Sequence, residues 1–231
     1  MKRLWSHLLG LLVLVVATCA LLGTLAVVVA GRQLPPLDAI AAFRHSAGYV
    51  PLDKMPPALT QAVVAIEDER FYLHDGIDYV GVIRAGLANL SDDLSQGAST
   101  ITMQVARNFF LSREKTYTRK LYEALLAYRI EGAFSKDEIL ELYMNKVYLG
   151  EGAYGFAQAA RTYFGKPLAE LTLAESAMLA GLPKAPSANN PVVNPRRARQ
   201  RQAYILLRML ELGRIDRHQY DAALLEPLRL R

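Results

Sequence analysis

Apolar residues recur every three or four positions through most of the chain, which is typical of helices that bury one face. Pro57 suits a first helical turn, and Leu59, Val63 and Ile66 continue the spacing after it. No alternating run is long enough to indicate a sheet. The pattern therefore predicts an all-α protein. Further helices are predicted in residues 77–90, ITMQVARNFFL, TRKLYEALLAYRIEGAF, ILELYMN, SAMLAGL and RRARQRQAYILLRML.

Two of these helices carry a recognisable start signal. Ser135 with Glu138, and Thr172 with Glu175, have the spacing of a capping box, in which each side chain bonds the other residue's backbone. We therefore expect helices to begin at both places.

The N-terminal part carries an uncharged stretch of 23 residues, 8–30, which would be about 34 Å long as a helix. That length favours an uncleaved transmembrane anchor, with a cleaved signal peptide as the alternative. Lys2 and Arg3 before the stretch predict a cytoplasmic N-terminus and an extracytoplasmic remainder. The predicted organisation is a cytoplasmic stub and anchor (1–31), a connector (32–51) and one domain (52–231).

The composition narrows the classes of ligand. A net charge of +5 and 52% hydrophobic residues indicate a packed, basic protein, which fits nucleic acid, anionic lipid or a phosphate-bearing substrate. An extracytoplasmic location argues against nucleic acid. The single cysteine, Cys19, excludes an internal disulfide and a cysteine-rich metal site.

The stretch EDERFYLHDG, residues 67–76, places carboxylates directly after an apolar run. If Glu67 is drawn into partly desolvated surroundings, its pKa rises and it can act as a general acid or base near neutral pH. The alternative is an ordinary charge at a helix end, and from this stretch alone that alternative is favoured.

The stretch QGASTITMQVAR offers an anion site. Ser99 or Thr100 can cap a helix whose free amides attract anions, while Gln104 and Arg107 lie one turn apart on one face. A capped helix without any ligand explains the same residues.

The stretch TRKLYEALL places Arg119, Lys120 and Glu123 where they can share a helix face. They are either an exposed charge pair or part of a groove that binds a diphosphate. With Glu67, Glu123 makes two separated glutamates, the usual equipment for glycosidic chemistry.

These segments together resemble the peptidoglycan glycosyltransferase family, found as monofunctional enzymes and in class A penicillin-binding proteins. EDERFYLHDG, GASTITMQ, RKLYE and KDEILELYMN match four of its motifs in order, and NPRRARQRQAYIL resembles the fifth, with Gln202 in place of a basic residue. The resemblance covers residues 52–225.

The resemblance implies a lysozyme-like, two-lobed, all-α fold that polymerises lipid II into β-1,4-linked glycan and releases undecaprenyl diphosphate. Glu67 is then expected to be the base on the acceptor hydroxyl, and Glu123 to assist at the donor diphosphate. The remaining motif residues are expected to bind or support substrate: Asp68, Phe71, His74, Ser99, Thr100, Gln104, Arg107, Lys115, Arg119, Lys120, Lys136, Asn145 and Arg201.

The resemblance also implies a divalent cation, Mg²⁺ or Mn²⁺, at Glu123, and a single-pass protein in the bacterial inner membrane. The expected partners are the lipid-linked growing glycan, the membrane and other wall-synthesis proteins. No Ser-x-x-Lys motif follows the matched region, residues 52–225, so a penicillin-reactive function is not expected, although a longer parent protein is left open. Two other functions also stay open: a lysozyme-like wall hydrolase and a non-catalytic, membrane-anchored scaffold.

Overall fold

The computed structural model describes residues 34–90, 99–111 and 117–231, with isolated positions between 14 and 32. This part of the chain is helical, and its only strand-like feature is one bridge between Tyr148 and Tyr154. Short 3₁₀ turns lie at Leu52–Lys54, Phe71–Leu73 and Leu168–Glu170. The α-helices are α1 (Asp38–Phe43), α2 (Pro57–Glu67), α3 (Tyr79–Leu90), α4 (Ile101–Phe110), α5 (Tyr117–Glu131), α6 (Lys136–Lys146), α7 (Phe156–Phe164), α8 (Leu173–Ala180), α9 (Pro195–Glu211) and α10 (Arg217–Leu225).

Most of the predicted anchor, residues 8–30, lies outside the described part of the chain. Within the described part, no helix has both the length and the apolar composition that crossing a bilayer requires. The anchor and the domain limits therefore stay predictions.

The helices pack in two groups on one continuous hydrophobic core. Helices α2, α8 and α9 pack against one another, with α10 on α9, while α4 packs against both α5 and α6. Large side chains such as Phe71 and Phe156 are fully buried, and burial of one such side chain contributes about 1.5–3 kcal/mol. The C-terminal end of α2 meets the N-terminal end of α4, where Ile101 N donates to Asp68 Oδ2 at 3.0 Å.

The helix starts largely follow the pattern. Both predicted capping boxes, Ser135 with Glu138 and Thr172 with Glu175, are present. Helix α3 begins at Tyr79, two residues later than the spacing predicted.

The predicted connector, residues 32–51, contains regular structure although Pro35 and Pro36 are typical of irregular segments. It contains α1, whose Ile40 is fully buried, because DAIAAF has an apolar face to pack. Asn145 on α6 exchanges hydrogen bonds with the backbone N–H and C=O of Val50, both at 2.8 Å. Glu141, one turn earlier, accepts from Tyr49 Oη at 2.8 Å. The connector is thus fastened along α6.

Candidate active site

Glu67 ends α2 and faces the second group of helices. Gln104 Nε2, on α4, donates to Glu67 Oε2 at 2.8 Å. Arg107, one turn further along α4, donates to Gln104 Oε1 at 3.3 Å. A short chain of side chains therefore joins the two groups of helices at this carboxylate.

The surroundings of Glu67 raise the pKa of its carboxyl group. Burial is the largest cause. The pKa is lowered, by a smaller amount, by the Gln104 hydrogen bond and by the charges of Arg201, Arg107 and Lys184. These cations come from α9, α4 and the loop after α8. A carboxylate whose pKa is raised toward neutrality is suited to accept a proton from a substrate hydroxyl.

Two neighbours of Glu67 were missed as site residues. Tyr143 on α6 is fully buried, and burial together with the charge of Glu67 raises its pKa well above the usual value. Tyr143 lies within KDEILELYMN, one of the segments that match the family, but its spacing is that of a core residue, so it was not assigned to the site. The signal for Lys184 was the charge of its surroundings, because residues 184–208 hold six basic residues and no acidic one.

Arg201, on α9, lies close enough to Glu67 for the two charges to interact. Burial lowers the pKa of Arg201, while the charge of Glu67 opposes the change. Its guanidinium carbon lies 5.5 Å from the centre of the Tyr204 ring. Its buried Nε has no hydrogen-bond partner among the described residues.

Glu123 is the centre of a second, buried charge cluster on α5. Its side chain is 1% exposed and accepts hydrogen bonds from Arg119 and, at 2.9 Å, from Lys120 Nζ. Lys120 Nζ also donates to Ser99 Oγ at 2.6 Å. Burial lowers the pKa of Lys120 to about 8, with the charges of Arg107 and Arg119 acting in the same direction.

Arg107 lies close to both charge clusters. Its positive charge lowers the pKa of Glu67 at the end of α2 and also the pKa of Lys120 in the cluster on α5. The predicted shared face of Arg119, Lys120 and Glu123 is present, and the first two both bind the third.

The loop after Glu67 is held by Asp68, His74 and Thr100. Asp68 lies 3.0 Å from His74 Nε2 and also accepts from the start of α4, as described above. Thr100 caps α4 by accepting from Met103 N at 3.1 Å, and it donates to Gly76 O at 2.6 Å. These three side chains are engaged within the protein and orient Glu67.

Phe71, Lys136 and Asn145 are also engaged within the protein. Lys136 Nζ lies 4.5 Å from the centre of the Phe71 ring and 2.7 Å from Glu131 Oε1. Glu131 in turn accepts from Gly76 N at 3.0 Å, whereas Asn145 binds the connector. Lys115 lies outside the described residues.

The expected cation at Glu123 has little support from its surroundings. Both carboxylate oxygens of Glu123 bind cationic side chains. In the described ranges, no three His, Cys, Asp or Glu side chains come together as a metal site. The described residues around Glu123 do not by themselves fit a protein-bound divalent cation, and the expected cation stays a prediction.

A cavity of about 310 Å³ opens beside this site. Arg107 forms part of its wall, so the cavity adjoins both charge clusters. The lining residues are Arg107, Asn108, Leu111, Lys146, Val147, Tyr148, Tyr154, Pro183 and Pro186.

A family model described as Transglycosylase matches residues 36–210. The chain belongs to the transglycosylase family. It is 77% identical, over the full length of both proteins, to a protein of Cupriavidus necator with a provisional transglycosylase name.

Class A proteins are also among the relatives of this transglycosylase. It is 60% identical over 181 residues to penicillin-binding protein 1A of Neisseria flavescens. The aligned residues make up 78% of this chain and 23% of that protein. The crystal structure of penicillin-binding protein 1A from Haemophilus influenzae aligns with 57% of this chain and with 16% of its own chain. The aligned parts are 40% identical in sequence, and the TM-score is 0.40. The family and these relatives identify a peptidoglycan glycosyltransferase of cell wall synthesis. The expected family and the expected class of activity, peptidoglycan glycosyl transfer, are confirmed, while the residue roles stay predictions.

Proposed function

We propose that the protein polymerises lipid II into β-1,4-linked glycan, with Glu67 as the general base. The observation that carries the proposal is the desolvated Glu67 carboxylate, which lies between the two groups of helices and within the field of Arg107 and Arg201. A second carboxylate, Glu123, organises cations on the other side of Arg107.

In the proposed reaction, Glu67 takes the proton of the acceptor sugar's 4-hydroxyl. The oxygen then forms a bond to the anomeric carbon of the growing chain. The bond from that carbon to the phosphate oxygen breaks, and its electron pair leaves with undecaprenyl diphosphate. Removal of the proton by a positioned base contributes about 100- to 10,000-fold to the rate.

The charge that develops on the diphosphate is stabilised by Arg107, Arg119 and Lys120. Glu123 holds Arg119 and Lys120 in place, because a buried carboxylate keeps both cations on one face of α5. Preorganised cations stabilise a developing negative charge without reorganising during the reaction.

We further propose that the domain lies on the outer surface of the bacterial inner membrane, behind an anchor in residues 8–30. Helix α3 supports this, because Tyr79, Val80 and Ile83 are each more than half exposed. Contiguous exposed apolar side chains mark a membrane or partner contact. The growing glycan and lipid II both carry lipid tails that would lie in the same membrane. Contacts with other wall-synthesis proteins stay a prediction from the resemblance.

The deciding experiment gives labelled lipid II to the purified full chain and compares Glu67→Gln and Glu123→Gln with the wild type. We expect glycan polymer from the wild type and at least a ~100-fold slower rate from Glu67→Gln. Glu170→Gln is the matched control, because Glu170 is exposed on a distant 3₁₀ turn.

Each rival function has its own outcome in this experiment. Undiminished polymerisation by Glu67→Gln would contradict the mechanism. Release of fragments from preformed wall would identify a hydrolase, and a protein that binds wall polymer but forms none would be a scaffold.

A further inference from the structure

Glu69, two residues after Glu67, is bound by arginines from two different helices. Arg84 on α3 donates to one carboxylate oxygen, and Arg208 on α9 donates to the other. Burial acts to raise the pKa of Glu69, but the two guanidiniums outweigh it and hold the pKa below its usual range. The side chains of Glu69, Arg84 and Arg208 are 18%, 48% and 28% exposed, so this double ion pair is partly exposed to water.

The Arg208 contact bears on the active site through the geometry of α9. Arg201 and Arg208 are seven residues apart, which places them two turns apart on one helix face. Arg208 binds Glu69, and Arg201 acts electrostatically on Glu67. The two arginines of α9 therefore face two carboxylates of the same short segment.

The position of Arg201 depends on close packing against α8. A Cβ atom at Gly181, directly after α8, would lie 2.9 Å from Arg201 Cγ. A shift of α9 along its axis would break this fit and move the guanidinium away from Glu67. The Glu69–Arg208 ion pair opposes such a shift.

We propose that Glu69 is a positioning residue for glycosyl transfer, which holds Arg201 against Glu67 and fastens α3 to the same point. The proposal rests on Glu67 being the base. A partly exposed ion pair contributes little to stability, so the effect of Glu69 is expected in the reaction more than in folding.

The test is the pH profile of kcat/KM for lipid II polymerisation by the full-length Glu69→Gln variant. The base must be deprotonated, and the positive charge of Arg201 favours that form. If Arg201 moves away, the pKa of Glu67 rises and the acidic limb shifts to higher pH, by about 0.5 unit or more. The groups around Glu67 that set this limb are Gln104, Arg107, Tyr143, Lys184 and Arg201.

Arg208→Gln is the second variant, because it removes the same ion pair from the other side. We expect the same shift of the acidic limb, and no further shift when it is combined with Glu69→Gln. Asp221→Asn is the matched control, since it removes an exposed ion pair with Arg217 on α10. This control is expected to leave the profile unchanged.

The outcomes separate this proposal from the mechanism beneath it. A uniform loss at every pH, additive effects of the two variants, or an unchanged profile would each overturn the role of Glu69. If Glu67→Gln itself retains the wild-type rate, the base assignment fails instead. Circular dichroism of every variant shows whether the fold is retained, and Arg208→Gln still tests the proposal if Glu69→Gln does not fold.

Discussion

Three consecutive carboxylates, Glu67, Asp68 and Glu69, have different neighbours and correspondingly different properties. Glu67 binds a neutral amide and keeps a raised pKa. Asp68 binds the backbone of α4 and His74, whereas Glu69 binds two guanidiniums and keeps a lowered pKa. The raised pKa of Glu67 suits a base near neutral pH, and the lowered pKa of Glu69 does not.

The lowered pKa of Lys120 predicts how the rate changes on the basic side of the pH profile. Its ammonium is needed beside the departing diphosphate, and with a pKa of about 8 it loses that charge as the pH rises through 8. We expect kcat/KM of the wild type to fall above about pH 8. In Lys120→Arg the charge persists, so the fall moves to higher pH.

The measurement is the rate of lipid II polymerisation between pH 6 and 10. Lys54→Arg serves as the control, because Lys54 is exposed and lies in the 3₁₀ turn before α2. An unchanged basic limb in Lys120→Arg would show that another group titrates there.

Helix α4 has the start and the polar face that the sequence predicted. A hydroxyl before an apolar helix predicts a cap, and Thr100 is that cap. The same spacing placed Gln104 and Arg107 on one face, as observed. The pattern could not distinguish Thr100, which is used internally, from Ser99, which binds Lys120, because both hydroxyls have the same chemistry in the sequence.

Helix α3 carries the prediction about the membrane. In Val80→Asp/Ile83→Asp, two exposed apolar side chains become charged, which disfavours contact with lipid by several kcal/mol. We expect at least a tenfold lower rate in lipid vesicles and a much smaller change in detergent. The rate of lipid II polymerisation is measured in both.

Leu225→Asp on α10 is the control for this surface, because Leu225 is 85% exposed and lies on another element. Equal losses in vesicles and detergent would assign the α3 residues to folding or substrate contact instead of the membrane.

At the scale of the whole molecule, helical periodicity predicted the fold class and most helix positions. It could not predict which helices pack together, because each apolar face fits many partners. The encounter of Glu67 with Gln104 and Arg201 depends on that packing, as does the use of Asn145 as a fastener for the connector. Motif resemblance identified these residues, and the structure shows which of them meet near Glu67 and which bind other parts of the fold.

Asn145→Ala tests how much the hydrogen bonds between α6 and the connector stabilise the fold. It removes two hydrogen bonds to Val50 and one to Glu141 O, so we expect the free energy of unfolding to fall by about 1–3 kcal/mol. Chemical denaturation of the full chain measures the loss. Asn194→Ala removes a single hydrogen bond of 3.3 Å and should cost less; equal losses would contradict the role of Asn145.

The hydrogen bond between Gln104 and Glu67 has a consequence for repeated addition. An acceptor hydroxyl that gives its proton to Glu67 approaches the carboxylate that Gln104 already occupies. Because Gln104 binds Oε2, the proton of each arriving sugar can be accepted at Oε1 while the contact between α2 and α4 is kept. Under the proposed mechanism the two groups of helices therefore stay joined at Glu67 through every addition, and each new sugar meets the same base in the same place.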